Sequence, residues 1–398
     1  MRMALLEMKK IWNLKILGAL ALVSALFYVM FMSCFINYYK SGNHPQTEMI
    51  YYAEELAHLC GTSVTPEELS AFVAAERERL VADADYYIKT MPVFAEAGIY
   101  SYADYSMLRE ARARDFNQAE NDAYWTLLGE ECDYLGFFLE TLEHMDEVFE
   151  IKPIYIGWND SIWGTLNERE QARYIEIVQN NEHHSALSYW TLSNTNDYAV
   201  RFAVMLMLAT LMIVSPLLVS DRQRNIHHLQ YTSKLGRRIM HRQLAATLLS
   251  AFMLTTMLIF IFGSIYSANG TYLFWDANIN SGLNIGYFSV FNMTYGQWVM
   301  AVVALMYALA LGISMFAFVM SRFSRNMITL IMKLIPLFAA AAYMCTGVFN
   351  YSFSMLDNVL YQIVRVFGVE AIACGVFVLF ALAAVLFVTH REKSVDVM

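Results

Sequence analysis

The sequence predicts an all-α polytopic membrane protein with six transmembrane helices, both termini cytoplasmic, and a mostly helical exoplasmic domain. Six apolar segments each approach the roughly 20 residues that a helix needs to cross the hydrocarbon core of a bilayer. A long acidic block separates the first of these segments from the second. The predicted spans are residues 16–36, 199–219, 244–266, 298–320, 327–348 and 367–388.

Composition and charge divide the chain into a membrane part and a water-exposed part. Hydrophobic residues make up 58% of the 398 residues, which is more apolar than an ordinary soluble protein. Residues 38–198 contain 29 Asp and Glu against 10 Lys and Arg, a net charge of −19, so the rest of the chain carries +10. The pattern indicates an acidic domain joined to a basic membrane part.

Basic residues near the span ends predict the orientation, because Lys and Arg close to a span are retained in the cytoplasm. They lie before the first span and after the second, fourth and sixth, at Arg2, Lys9, Lys10, Lys15, Arg222, Arg224, Lys234, Arg237, Arg238, Arg242, Arg322, Arg325, Arg391 and Lys393. The loop between the third and fourth spans contains no Lys or Arg. This bias places the acidic block outside the cell or in an equivalent exoplasmic space.

Three parts follow from the spans and the charges. Residues 1–37 form the cytoplasmic N-terminus and the first transmembrane helix, which we expect to be retained as an anchor, not cleaved as a signal peptide. Residues 38–198 form the acidic exoplasmic helical domain. Residues 199–398 contain helices 2–6 and a cytoplasmic loop at residues 220–243.

The acidic block carries recognisable helix starts and two cysteines. Thr65-Pro66-Glu67-Glu68 has the pattern of a capping box with proline at the first helical position, and Thr165-Leu166-Asn167-Glu168 repeats it. Ser101 is a third candidate N-cap. Cys60 and Cys132 are the block's only cysteines, and an exoplasmic location allows either a disulfide or two free thiols.

The loop at residues 220–243 is the strongest functional signal. It is basic, carries a thin apolar stripe, and contains a turn pattern that ends at Gly236. One interpretation is a basic loop that sets the topology and borders anionic lipid. The other is an amphipathic element that lies against a partner protein.

On this loop and the span layout, the chain resembles the permease subunits of exporter-type (type-2) ABC transporters. Those proteins commonly have six spans with both termini inside. Their loop between the second and third spans runs from an acidic residue through an amphipathic stretch to a Gly-Arg pair, and Asp221, Leu229, Gly236 and Arg237 occupy those positions here. In that family the loop is a coupling helix that docks on the ATPase subunit.

The resemblance implies a transport component of a bacterial cell membrane that exports a peptide, drug or lipid-like substrate. The phosphate-binding pattern G-x-x-x-x-G-K-[ST] does not occur in the chain, so ATP and Mg are expected on a separate ATPase subunit, and the chain itself is expected to be neither an enzyme nor a cofactor carrier. The other expected partners are a second permease chain, identical or related, and membrane lipid; no nucleic acid is expected.

Other classes of function stay open at this point. An ion-coupled secondary transporter would use charged groups within its spans, and Lys333 and Glu370 are the candidates. A membrane receptor or sensor would have to act through a partner, because the tail after the last span is short. An intramembrane metalloenzyme is disfavoured, since no H-E-x-x-H pattern occurs.

Overall fold

A computed structural model describes residues 2–41, 45–111, 116–149, 166–224, 226, 236, 239–283 and 287–394. The regular secondary structure of the described residues is α-helical apart from short 3-10 helices and isolated bridges. In chain order the α-helices are α1 (Arg2–Ile11), α2 (Leu14–Phe31), α3 (Cys34–Asn37), α4 (Pro45–Cys60), α5 (Pro66–Thr90), α6 (Pro92–Glu96), α7 (Tyr102–Glu110), α8 (Gln118–Leu128), α9 (Leu135–Phe149), α10 (Glu168–Gln179), α11 (Tyr189–Val214), α12 (Pro216–Gln223), α13 (Ile239–Tyr266), α14 (Tyr295–Arg322), α15 (Met327–Phe349), α16 (Val359–Val364) and α17 (Val369–Ser394).

Among the described residues, six helical segments are long and apolar enough to cross a membrane, which confirms the predicted all-α polytopic class with six transmembrane helices. They are Leu14–Phe31, Tyr189–Gln223, Ile239–Asn269, Tyr295–Arg322, Met327–Phe349 and Val369–Arg391. The second segment begins ten residues before the predicted start, because Tyr189–Tyr198 continue the same helix with polar side chains.

The six segments differ in how far they are buried within the protein. Each segment contains an 18-residue stretch that is its most apolar. In that stretch, 72% of the residues of the second segment and 67% of those of the fourth are buried, against 11–39% in the other four segments. The second and fourth spans are therefore the central helices. Since the outward faces of the others carry Leu, Ile, Val, Met and Phe, these faces suit a lipid environment.

The chain forms two compact units, and the first contains the spans. Unit 1 consists of Met1–Ile36, Ser193–Gly270 and Gln297–Met398. One part of its core packs Met240 of α13 against Met315 and Phe318 of α14 and against Ala381 and Val385 of α17. Helix α1 packs along α13 and α12. This packing brings the N-terminus next to both ends of the loop at residues 220–243.

Unit 2 consists of Asn37–Leu192 together with Thr271–Gly296, the segment between the third and fourth spans. Its core forms where α5 lies along α9, with α4 and α8 packed on the same helix. Buried Leu69, Leu80, Leu127, Leu139 and Leu142 fill this core. The 29 Asp and Glu and 10 Lys and Arg of these two segments give unit 2 a net charge of −19.

The helix starts in unit 2 follow capping chemistry. The Thr65 capping box with Glu68 is present, with Pro66 at the first turn, and Ser101 caps α7; both predictions are confirmed. The predicted box at residues 165–168 is wrong, since Asn167 is the N-cap of α10 and Glu170 completes the box. Asn is a strong N-cap residue, and Asn167 Oδ1 accepts from both Arg169 N and Glu170 N.

A buried ion pair in the first segment of unit 2 is hydrogen-bonded to the second segment. Arg173 of α10 donates through Nη1 and Nη2 to the two carboxylate oxygens of Glu182, at 2.8 and 2.5 Å. Asn280 Nδ2 donates to the same carboxylate at 2.7 Å, and Asn280 Oδ1 accepts from Ser289 N at 2.7 Å. Side chains from both segments therefore satisfy one buried carboxylate.

His183, next to this ion pair, makes the stability of unit 2 depend on pH. Burial lowers the pKa of His183 from 6.5 to about 4, and the pKa of neighbouring His184 is lowered for the same reason. The unfolded chain therefore binds protons that the folded chain does not, and the free energy of unfolding should fall as the pH drops from 6.5 towards 4.

We expect His183→Gln to weaken this loss of stability in acid. Thermal unfolding of the full chain in detergent at several pH values between 7 and 4 measures the effect. His58→Gln, which replaces an exposed histidine of α4, is the matched control and should leave the pH dependence unchanged. Equal pH profiles for the native chain and the His183 variant would contradict the assignment.

Candidate functional site

Asp221, the acidic residue that precedes the predicted coupling loop, lies in a buried polar cluster of unit 1. It belongs to α12 and is 4% exposed. Lys10 Nζ of α1 donates to both Asp221 carboxylate oxygens at 3.2 Å, and Gln243 Nε2 of α13 donates to Oδ2 at 2.9 Å. Asp221 and Gln243, which lie at opposite ends of the loop, are thus bonded to each other and to the N-terminal helix.

Glu7 is the second carboxylate of this cluster. Lys10 Nζ lies 3.0 and 3.1 Å from its two oxygens, and Gln243 Nε2 lies 3.4 Å from Oε2. Glu7 and Asp221 are both buried, whereas Lys10 is partly exposed. One ammonium group therefore bonds to two carboxylates, and it can do so only while α1 and α12 stay together.

Helix α1 ends before the first span begins, and its own contacts fix its position. Asn13 has extended backbone and caps α2 by accepting from Lys15 N. Trp12 Nε1 donates to Ser250 Oγ of α13 at 3.1 Å, and Met8 and Ile11 are buried. Helix α1 is therefore separate from α2, and it packs along α13.

Arg222 connects the same region to the turn between the fourth and fifth spans. Its Nη1 donates to Ser324 O at 2.8 Å and its Nη2 donates to Arg322 O at 2.7 Å. A guanidinium at the last carbonyls of α14 is favourable, because these carbonyls lack helical partners and carry partial negative charge. Asp221 and Arg222 therefore join α12 to α1, α13 and the end of α14.

The remaining predicted coupling residues are only partly within the described chain. Gly236 has a φ of 49°, a left-handed conformation that glycine adopts without steric cost. Leu229 and Arg237 lie outside the described residues. Of the predicted coupling residues, the described chain therefore contains Asp221 and Gly236, together with both ends of the loop.

Lys333 and Glu370, the charged candidates within the spans, lie in different surroundings. Lys333 Nζ of α15 donates to Phe323 O at 2.8 Å, so the ammonium reaches back towards the start of its span. Glu370 of α17 is 1% exposed, and its Oε1 accepts from Phe353 N at 2.7 Å. The structure does not bring the two side chains into one site.

Cys60 and Cys132 are both free thiols in the structure. Cys132 is buried, its Sγ lies 3.6 Å from Met91 Sδ, and burial raises the pKa of its thiol to about 12. The pKa of Cys60 is also raised. Neither thiol has the lowered pKa that marks a reactive cysteine. Among the described residues, no three His, Cys, Asp or Glu side chains form a group that could hold a metal ion.

Sequence reasoning missed Lys10, Glu7 and Gln243 as members of the Asp221 cluster. A local signal existed for the first pair, because Glu7 and Lys10 are three residues apart and face the same side of a helix. No local signal links either residue to Asp221, which is 211 positions from Lys10.

The fold defines the class of this protein as an all-α polytopic membrane protein, and the part of the chain that the structure describes contains six helices long enough to span a bilayer. Comparisons with protein-family models, with characterised proteins and with solved structures found no match. A proposal about function therefore has to rest on the residues and their geometry.

Proposed function

We propose that this chain is the membrane-spanning permease subunit of an ATP-driven ABC exporter that moves a peptide, drug or lipid-like substrate out of a bacterial cell. The observation that supports this most is the cluster around Asp221. It bonds the start of the loop at residues 220–243 to α1 through Lys10 and to the start of the third span through Gln243.

The proposed mechanism starts at the loop, where a separate ATPase subunit docks. ATP binding closes two ATPase subunits attached to two permease chains, and the closure displaces both loops. Asp221 passes the displacement to α1 and α13, while Arg222 passes it to the end of α14. These bonds make the connected helices move together, so the bundle alternates between an inward-open and an outward-open state.

The rest of the proposal follows the predicted orientation. Both termini and the loop face the cytoplasm, where the ATPase supplies ATP and Mg. Residues 38–198 lie outside the cell in this orientation. The second permease chain completes the transport path, and the exposed apolar side chains of the outer helices contact membrane lipid or that second chain.

Co-purification from the native host tests the proposal. The full chain is isolated in mild detergent, and accompanying proteins are identified by mass spectrometry. We expect a soluble subunit with a nucleotide-binding P-loop to accompany the native chain. Simultaneous replacement of Leu229, Gly236 and Arg237 by Ala should remove most of that subunit, because the proposed docking element is altered.

The matched control is Lys393→Ala, which removes one positive charge from the same predicted side of the membrane without changing the loop. It should retain the ATPase subunit. Native chain that is monodisperse and correctly inserted but carries no ATPase would rule out the exporter. In that case an ion-coupled carrier becomes the better proposal, because Glu370 is a carboxylate buried within a span.

A further inference from the structure

The segment between the fifth span and α16 is irregular yet buried within unit 1. We call residues 350–358 the strap. Ser352, Ser354 and Asn358 are fully buried, and Phe353 and Met355 are nearly so. Irregular backbone at such a position is stable only if other parts of the protein satisfy its polar groups.

Three helices supply those partners, one for each of three successive residues. Asn196 Oδ1 of α11 accepts from Tyr351 N at 2.7 Å. Trp298 Nε1 of α14 donates to Ser352 O at 3.1 Å, and Glu370 Oε1 of α17 accepts from Phe353 N at 2.7 Å. All three partners lie near the first turns of the spans that run inwards in the predicted topology. The strap therefore ties together the outer ends of the second, fourth and sixth spans.

The strap also contains strained backbone. Tyr351 has a φ of 49° and Phe353 has a φ of 67°, in the left-handed region that bulky residues rarely adopt. Each of these residues has its N–H bonded to a span side chain. The bonds to Asn196 and Glu370 thus hold the two residues whose conformations are unfavourable.

Of the three partners of the strap, Glu370 is the one whose side chain would be stabilised by hydration when the strap moves away. Its Oε1 accepts from Phe353 N, but within the described chain its Oε2 has no hydrogen-bond partner, although the residue is 1% exposed. A buried acceptor without a partner costs free energy that hydration recovers. The closed strap is therefore held by bonds that include these three, and it is opposed by strain and by an unsatisfied carboxylate oxygen.

We propose that the strap is the outer gate of the transport path and that the Glu370–Phe353 bond keeps it closed. The inference rests on the proposed function, because a gate requires a path between two sides of a membrane. When the outer ends of the spans separate, the bonds to Asn196, Trp298 and Glu370 break. Water then reaches Glu370 Oε2. Glu370 acts as a positioning residue for the strap, not as a site for the cargo.

Thiol labelling of a cysteine placed in the strap tests this inference. Ser352→Cys is introduced into a full chain whose five native cysteines, Cys34, Cys60, Cys132, Cys345 and Cys374, are replaced by Ala. The chain is reconstituted in lipid nanodiscs, so a water-soluble thiol reagent reaches both faces. We expect slow labelling, and we expect Glu370→Ala to accelerate it by about tenfold or more, since the buried Phe353 N–H loses its acceptor.

Two variants distinguish a specific bond from general damage. Glu370→Gln keeps an oxygen that accepts from Phe353 N and should label at close to the native rate. Asp357→Asn changes a carboxylate of the strap itself, whose Oδ2 accepts from Ser354 Oγ at 3.2 Å, and it should also leave the rate unchanged. If Glu370→Ala does not insert, Trp298→Phe removes the donor to Ser352 O and serves in its place.

Each outcome decides the proposal. The gate proposal is overturned if Ser352→Cys labels fast without any further change. It is also overturned if neither Glu370→Ala nor Trp298→Phe changes the labelling rate. The proposal is supported if labelling is faster in Glu370→Ala but not in Glu370→Gln or Asp357→Asn. This assay needs no ATPase, so accelerated labelling without a co-purifying ATPase would retain the gate while the exporter proposal fails. Co-purification with an unchanged labelling rate would do the reverse.

Discussion

Arg173→Ala is expected to destabilise unit 2 by about 3–5 kcal/mol, the usual effect of removing one partner from a buried ion pair. The variant leaves the Glu182 carboxylate buried with a single amide donor, Asn280 Nδ2. It also removes the bond from Arg173 Nε to Ser289 O, which joins the two segments of the unit. Thermal unfolding of the full chain in detergent, followed by intrinsic fluorescence, should show a markedly lower midpoint.

Arg79→Ala is the matched control, because Arg79 also pairs with a glutamate but lies at the surface. Its guanidinium is 55% exposed and lies 2.9 Å from Glu76 Oε2 on the same helix. Exposed pairs of this kind contribute about 0–1 kcal/mol, so the midpoint should hardly change. Similar effects for the two arginines would show that burial of the Arg173 pair does not determine the stability of unit 2.

Lys10→Glu is expected to have the second large effect, at the Asp221 cluster. The substitution replaces the ammonium that bonds to both Glu7 and Asp221 by a third carboxylate. Repulsion among three acids should separate α1 from α12. We expect a severe loss of monodisperse protein and, in the material that remains, a loss of the co-purifying ATPase subunit.

A charge exchange tests whether this effect depends on the pair. In the double variant Lys10→Glu and Asp221→Lys, the ammonium comes from α12 and again lies between two carboxylates. This variant should recover most of the protein and of the ATPase. Lys9→Glu, at an exposed neighbouring position, makes the same charge change and should be tolerated. A double variant that behaves no better than Lys10→Glu would contradict a direct interaction between Lys10 and Asp221.

The spans and the fold class could be predicted from the sequence because membrane insertion depends on a local property. A run of about 20 apolar residues is recognisable without knowledge of its neighbours. The N-caps at Thr65 and Ser101 are local in the same sense, since each side chain bonds to backbone three residues away. The error at residues 165–168 arose where two capping patterns overlap, and Asn167 was the better acceptor.

The contacts that define the candidate site and unit 2 could not be predicted in this way. Residues 271–296 contain one charged residue, Asp276, and no periodic apolar pattern, so nothing local assigns them to the acidic unit. Their partners Arg173 and Glu182 are about 100 residues earlier in the chain. The Asp221 cluster likewise depends on which helices become neighbours, which apolar periodicity did not reveal because most spans are apolar on all faces.

The two-segment composition of unit 2 has a consequence for biosynthesis. Translation produces Asn37–Leu192 first, while Asn280 and Ser289 follow only after the third span has been made. Until then the nascent unit lacks the side chains and backbone that complete the surroundings of Glu182. Its folding must therefore finish after the ribosome has passed the third span, so the unit stays incomplete during that interval. A soluble form of the unit requires residues 271–296 joined to the larger segment.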